Sequence, residues 1–221
     1  MKMELTAKEL KQYYKEIVEM IEEKKDYLCE LDRKLGDGDH GVTMSIGWQA
    51  INDKLENELV AEEDCSKISI TVGKTFLSAV GSSVGPLYAT GFLRGAKEIK
   101  GKTVINDQDL AQFWIAFAKG VKERGQAEVG DKTMIDTLEP FFQTLEESFS
   151  ESQDFVRSFR LAVEAGKKGM ESTKDLLSKR GRSSRLGERS LGAQDPGATS
   201  AYYILSTFQS FVETQVLNVG V

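Results

Sequence analysis

The segment Asp32-Arg-Lys-Leu-Gly-Asp37-Gly-Asp39-His40-Gly41 brings three carboxylates and the chain's one histidine close together. Glycines on either side of Asp37 let the backbone turn so that Asp37 and Asp39 can both point inward. Hard divalent cations seek such oxygens. Magnesium usually takes one or two carboxylates and fills its shell with water and substrate phosphates. Asp32, Asp37 and Asp39 together can hold two magnesium ions bridging a polyphosphate, with charge balanced only when metal and phosphate are both present. The plainer alternative is a polar turn closed by Asx hydrogen bonds. Two other readings fail. Gly36, Gly38 and Gly41 spell G-x-G-x-x-G, but no strand precedes them, and two aspartates inside the loop would repel a pyrophosphate. A calcium loop starting at Asp37 would need glycine where Val42 stands and glutamate where Trp48 stands. Any mechanism that uses a histidine must use His40, although a lone histidine is more often a hydrogen-bonded or capping residue than a catalyst.

Two further segments carry groups that suit phosphate. Gly81-Ser82-Ser83-Val84-Gly85-Pro86 offers small residues, two hydroxyls and the amides of a helix start, or else simply caps a turn. Gly73-Lys74-Thr75 resembles the end of a P-loop, but Ile68 occupies the place of the leading glycine. Residues 178–197 hold Lys179, Arg180, Arg182, Arg185 and Arg189 among glycines and serines. Arginine binds phosphate with a two-pronged donor set, so this basic stretch suits a lid over phosphates. A solvated charge run is the common alternative. Asp195, just ahead of Pro196-Gly197, is suited to cap the last helix or to bond a ligand; capping is the commoner role.

The elements that must carry these groups read as helices. Leu10, Tyr14, Ile17, Val18 and Ile21 follow helical spacing behind a Thr6–Glu9 capping box. Further stripes are Ile46, Ala50, Leu55; Ile68, Val72, Phe76, Val80 after Asp64; and Leu87, Gly91, Leu93 to Ala96, whose small residues admit a close neighbour. Others are Leu110, Phe113, Trp114, Phe117, Val121; Met134, Leu138, Phe141, Leu145, Phe149, with Pro140 as a kink; and Phe155, Phe159, Ala162, Ala165. The last helix starts at Asp195-Pro196 and runs through Tyr202, Leu205 and Phe208. No run of alternating residues is bounded by hairpin turns, so no strand pair is expected. The fold class is all-α, with residues 1–221 as one domain, a bundle or closed barrel of about eight antiparallel amphipathic helices.

Composition sets the outer limits. Apolar residues make up 40% of the 221, enough for a core. With 35 acidic against 29 basic residues the net charge is −6, which argues against gripping nucleic acid directly. Two cysteines exclude a disulfide scaffold and a multi-cysteine zinc site. The start, Met-Lys-Met-Glu-Leu-Thr, has no apolar signal core, and no long uncharged stretch follows. A cytoplasmic protein away from membranes is expected.

Taken in order, Leu31-Asp32-x-x-Leu-Gly-Asp37-Gly-Asp39-His40-Gly41, Gly81-Ser82-Ser83, Gly181-Arg182-Ser183-Ser184-Arg185-Leu-Gly-Glu-Arg-Ser and Asp195-Pro-Gly-Ala-Thr-Ser resemble the nucleotide-binding L subunit of bacterial dihydroxyacetone kinases. His40 favours this branch, because the related nucleotide domain of fatty acid kinases typically has threonine there. The resemblance implies a barrel of eight antiparallel helices with ADP or ATP at one end. It implies two Mg2+ ions held by Asp32, Asp37 and Asp39. His40, Gly41, Val42 and Thr43 would lie along the phosphates with Ser82 and Ser83. Arg182 and the Asp195-Pro196-Gly197 turn would close over the nucleotide, and Gly125 and Met134 would line the adenine side.

The chemistry it implies is phosphoryl transfer to dihydroxyacetone held on a separate K subunit, with Asp32, Asp37, Asp39 and Arg182 as the catalytic group. ADP would stay bound and be recharged by a phosphohistidine-carrying M subunit that draws on phosphoenolpyruvate. A chain of this length is expected to be a separate subunit, not a fused kinase. Two other readings stand beside this one. One is an ATP-exchanging kinase subunit for another small polyol. The other is a regulatory protein that reports nucleotide state to a transcription regulator. The tail 215–221 has no assigned role.

Overall fold

A computed structural model describes residues 3–219 and shows eight α-helices among them. They are α1 Ala7–Leu35, α2 His40–Asn57, α3 Cys65–Ala79, α4 Val84–Glu98, α5 Asp107–Gly125, α6 Ile135–Ser152, α7 Phe155–Ser172 and α8 Pro196–Val219. Each packs on its neighbours in the chain, and α8 returns to α1, closing a ring. The chain reverses at each connection, of which only the one between α7 and α8, residues 173–195, is long, so this is an up-and-down barrel. Its centre is filled, not hollow. Trp114 meets Phe208 at 5.0 Å between ring centroids, Tyr13 meets Phe208 at 4.8 Å, and Phe92 meets Phe117 at 4.9 Å, each tilted or edge-on. The last residues of the tail, 220–221, lie outside the described part.

Several sequence signals act as expected. Thr6 accepts the Glu9 N–H while Glu9 reaches back to the Thr6 N–H. Asp64 caps α3 through the Ser66 and Lys67 amides. The small residues of α4 admit α5: a β-carbon at Gly91 would lie 2.8 Å from the Phe117 ring, and one at Gly95 2.9 Å from Phe113. Pro140 sits inside α6 and takes the N–H that would have bonded the Asp136 carbonyl. Helix α7 fills that place with Gly169, where a β-carbon would lie 1.9 Å from the Asp136 oxygen.

Two expectations need correction. A short antiparallel strand pair exists, β1 Glu4–Thr6 with β2 Val104–Asn106. Leu5 and Ile105 pair in register and are both buried. Strands this short show no alternation to detect. Each ends in the capping box of a long helix: Thr6 with Glu9 for α1, and Asn106 with Asp109 for α5. In α2 the buried face is Met44, Trp48, Ile51 and Leu55, whereas Ile46 is 53% exposed. Gly47 turns that face inward by admitting Phe76 of α3 and Val80 just after it, whose atoms lie 2.3–2.9 Å from where its β-carbon would be.

Candidate functional site

In an up-and-down barrel, alternate connections share an end. The links α1–α2, α3–α4, α5–α6 and α7–α8 therefore meet, while the strand pair lies at the other end. The four links surround a cavity of about 480 Å³. Three of them are the interruptions noted in the sequence. The fourth, residues 126–134, carried no comparable signal.

The first link is built by Asp32, in the last turn of α1. Its Oδ2 accepts the amide hydrogens of Asp39 at 2.9 Å and His40 at 3.2 Å, so it caps α2 from the preceding helix. Asp39, the residue at the cap position, makes no cap bond with its own side chain. Glycine is required twice here. Gly38 has φ +80°, and a β-carbon at Gly36 would lie 2.7 Å from Asp32 Oδ1. The folded link leaves one oxygen from each of Asp32, Asp37 and Asp39 within 4.8 Å of one another. Crowding shows in Asp39, whose carboxyl is pushed up first by desolvation and then by the neighbouring Asp37 charge. Arg182, arriving from the α7–α8 link, forms an ion pair with Asp37.

His40 is buried and points into the barrel, with Nε2 2.9 Å from Ser200 Oγ. Ser200 Oγ also lies 3.1 Å from Gly197 O and 2.9 Å from Tyr88 Oη, so one hydroxyl ties His40 to α4 and to the first turn of α8. Burial lowers its pKa to about 4, with Asp32 opposing, so the ring is neutral. Thr43 lines the cavity one turn on. Gly41 and Val42 do not. Gly41 faces α1, where a β-carbon would lie 2.0 Å from the Lys25 carbonyl, and Val42 points to solvent at 44% exposure.

Ser82 and Ser83 line the opposite wall at the start of α4. Ser82 Oγ is buried without a protein partner, as a hydroxyl meant for a ligand would be. The remaining wall is more apolar and includes Leu87, Gly125, Ala127, Met134 and Ile135. Asp195, Pro196 and Gly197 close it. Asp195 caps α8 by accepting the Ala198 N–H at 2.7 Å. Burial pushes its pKa up to about 7. Asp37, outside this cavity, lines an adjoining groove with Arg33, Lys34, Arg182, Arg185 and Arg189.

The sequence profile of the DAK2 domain matches residues 34–210. The chain belongs to the DAK2-domain family. Among DAK2 relatives, the ADP-binding subunit DhaL of PEP-dependent dihydroxyacetone kinase 2 from Listeria innocua is 37% identical over 187 residues, covering 85% of this chain and 86% of that one. The corresponding Escherichia coli subunit is 37% identical over 180 residues, 81% and 85% of the two chains. The crystal structure of the dihydroxyacetone kinase from C. freundii in complex with AMP-PNP and Mg2+ superposes with TM-score 0.69 at 21% identity. It is matched over 91% of this chain and 33% of its own, and establishes the barrel fold.

In this DAK2 chain the structure brings Asp32, Asp39, His40, Thr43, Ser82, Ser83, Gly125, Met134, Arg182, Asp195, Pro196 and Gly197 around one cavity, with Asp37 at its edge. Sequence reasoning missed Lys132, which lines the same cavity, and Ser200 and Tyr88, which hold His40. A lysine between Asp131 and Thr133 reads as surface. Only its burial, 1% exposed, marks it out.

Proposed function

We propose that this chain is the ADP/ATP-binding subunit of a phosphoenolpyruvate-dependent dihydroxyacetone kinase. The observation that carries the reading is the convergence of Asp32, Asp37 and Asp39 at the mouth of a cavity whose other walls hold Ser82, Ser83 and Asp195. The relatives named as ADP-binding subunits support it. Three carboxylate oxygens within 4.8 Å of one another suit Mg2+, and we assign them two ions. When bound, such ions neutralise phosphate charge and so supply much of what phosphoryl transfer demands.

The protein groups supply the rest. Ser82 Oγ offers a donor to phosphate, with Ser83, Thr43 and the amides at the start of α4 beside it. Gly125 and Met134 form the side suited to adenine. Arg182, already beside Asp37, presents a permanent positive charge at the phosphate end of the cavity. Neutral His40 is tied to Ser200 and serves to hold α2 against α8. It is not the phosphoryl carrier in this reading. The acceptor, dihydroxyacetone, would sit on a separate K subunit, and a phosphohistidine-carrying M subunit would recharge ADP. The cytoplasm is the proposed place of action. Among the described residues, no helix is long and apolar enough to cross a membrane.

Native mass spectrometry of the freshly purified chain tests this. A mass excess matching ADP plus two Mg2+ supports the bound-cofactor subunit. A bare chain that exchanges ATP and ADP favours an ordinary kinase subunit, for dihydroxyacetone or another small polyol. No nucleotide binding even with Mg2+ overturns the proposal and favours a regulatory protein that contacts a transcription regulator.

A further inference from the structure

Lys132 is buried at 1% exposure and has φ +61°, a left-handed backbone that a lysine seldom adopts. All three hydrogens of its ammonium are used. Nζ donates to the carbonyls of Leu176 at 3.2 Å, Ser190 at 2.5 Å and Ala193 at 2.6 Å. These carbonyls stand at the two ends of the basic stretch that carries Arg180, Arg182, Arg185 and Arg189. The stretch therefore leaves one buried cation and returns to it.

The residues beside Lys132 strengthen the anchor. The Asp131 carbonyl accepts the Lys179 N–H at 3.1 Å, and its carboxylate accepts Arg180 Nε at 3.1 Å. The turn that presents Lys132 is fixed by Asp136, which accepts the Gly130 N–H at 2.6 Å and the Thr133 N–H at 2.7 Å. Inside the basic stretch, Gly181 and Gly187 have positive φ, and its arginines are exposed. Such a segment has little apolar surface of its own to offset the entropy of ordering.

We infer that Lys132 is a positioning residue: it gathers both ends of the arginine-bearing loop and thereby fixes where Arg182 meets the carboxylate trio. Its consequence for ligand binding rests on the nucleotide reading above. A buried ammonium suits the task because three carbonyls can share one donor centre, whereas an apolar residue would leave all three without a partner.

The test uses the full chain and two variants, Lys132→Ala and Lys132→Met. Trypsin has targets throughout the sequence, so the place of first cleavage is informative. Both variants are expected to be cut within residues 179–189 at least about tenfold faster than the unchanged chain, with cuts elsewhere remaining slow. The dissociation constant for Mg2+-ATP is expected to rise in Lys132→Ala about as much as in Arg182→Ala, and the double variant to lose less than about twofold more. Unchanged loop cleavage, or losses that add in full, would overturn the inference. If neither variant folds, hydrogen exchange on the unchanged chain decides instead. The Ser178, Lys179 and Gly192 amides should be protected, and rapid exchange at all three would overturn it. Failure of the unchanged chain to bind nucleotide would overturn the nucleotide reading, and the cleavage result would still decide whether Lys132 holds the loop.

Discussion

Asp32 does two jobs with one carboxylate, and this explains the spacing of the trio. One oxygen caps α2 through two amides, which holds Asp39 at the turn beside it. Replacing Asp37 or Asp39 by Asn should leave that cap intact and weaken Mg2+-dependent nucleotide binding by at least about tenfold, or about 1.4 kcal/mol. Calorimetric titration with and without Mg2+ would show it, and an unchanged affinity in both variants would remove the metal assignment. The trio was legible in the sequence because three carboxylates recur within eight residues around glycines, although the same residues also suit a plain polar turn. The cap was not, since it crosses from one helix to the next.

Asp195 permits a pH prediction at the same scale. Its pKa is about 7 in the fold, mainly through burial, against about 3.9 in an unfolded chain. The protonated form is the one the fold favours. The stability it contributes is therefore present below about pH 4 and is lost as pH rises through about 7, a span worth about 4 kcal/mol. Asp195→Asn should flatten that part of the stability profile. Urea midpoints of both proteins between about pH 4.5 and 8 would reveal it, and parallel profiles would contradict it.

Among the elements, α6 and α7 meet where Pro140 frees a carbonyl and Gly169 has no side chain to block it. Gly169→Ala would place a methyl group 1.9 Å from the Asp136 oxygen. The helices must then separate, at a cost of about 2 kcal/mol or more. Gly81→Ala is the contrast, because nothing lies within 4 Å of its β-carbon position, and its effect should stay within about 0.5 kcal/mol. Thermal melts of the two variants make the comparison. Helix number and type were legible because long stripes at helical spacing persist through most of the chain. The inward face of α2 was misjudged because Gly47, with no hydrophobicity to count, decides which side approaches α3.

For the whole molecule, ring closure explains why loops distant in sequence form one site. Residues 32–43, 81–86 and 178–197 were legible as interruptions, each with its own polar chemistry. Residues 126–134 were not, because Lys132 acts through carbonyls that no sequence pattern announces. If the carboxylates repel one another without metal, adding Mg2+ with ADP should raise the melting temperature, and excess chelator should lower it again. Indifference to both would favour the plain polar turn.

The strand pair at the far end bears on the order of folding. It joins Leu5 to Ile105, so α1 through α4 must largely be assembled before the two strands can meet. Closing so long a loop for so few hydrogen bonds is unfavourable until the helices have drawn its ends together. The strands should therefore form after the rate-limiting step. Leu5→Ala, which empties a fully buried position, should cost about 2–4 kcal/mol. That loss should appear almost wholly as faster unfolding, with the refolding rate nearly unchanged. Stopped-flow kinetics in urea would separate the two limbs. A slowed refolding limb would mean that the N-terminus joins its partner strand early, and that the first half of the barrel grows around a closed loop.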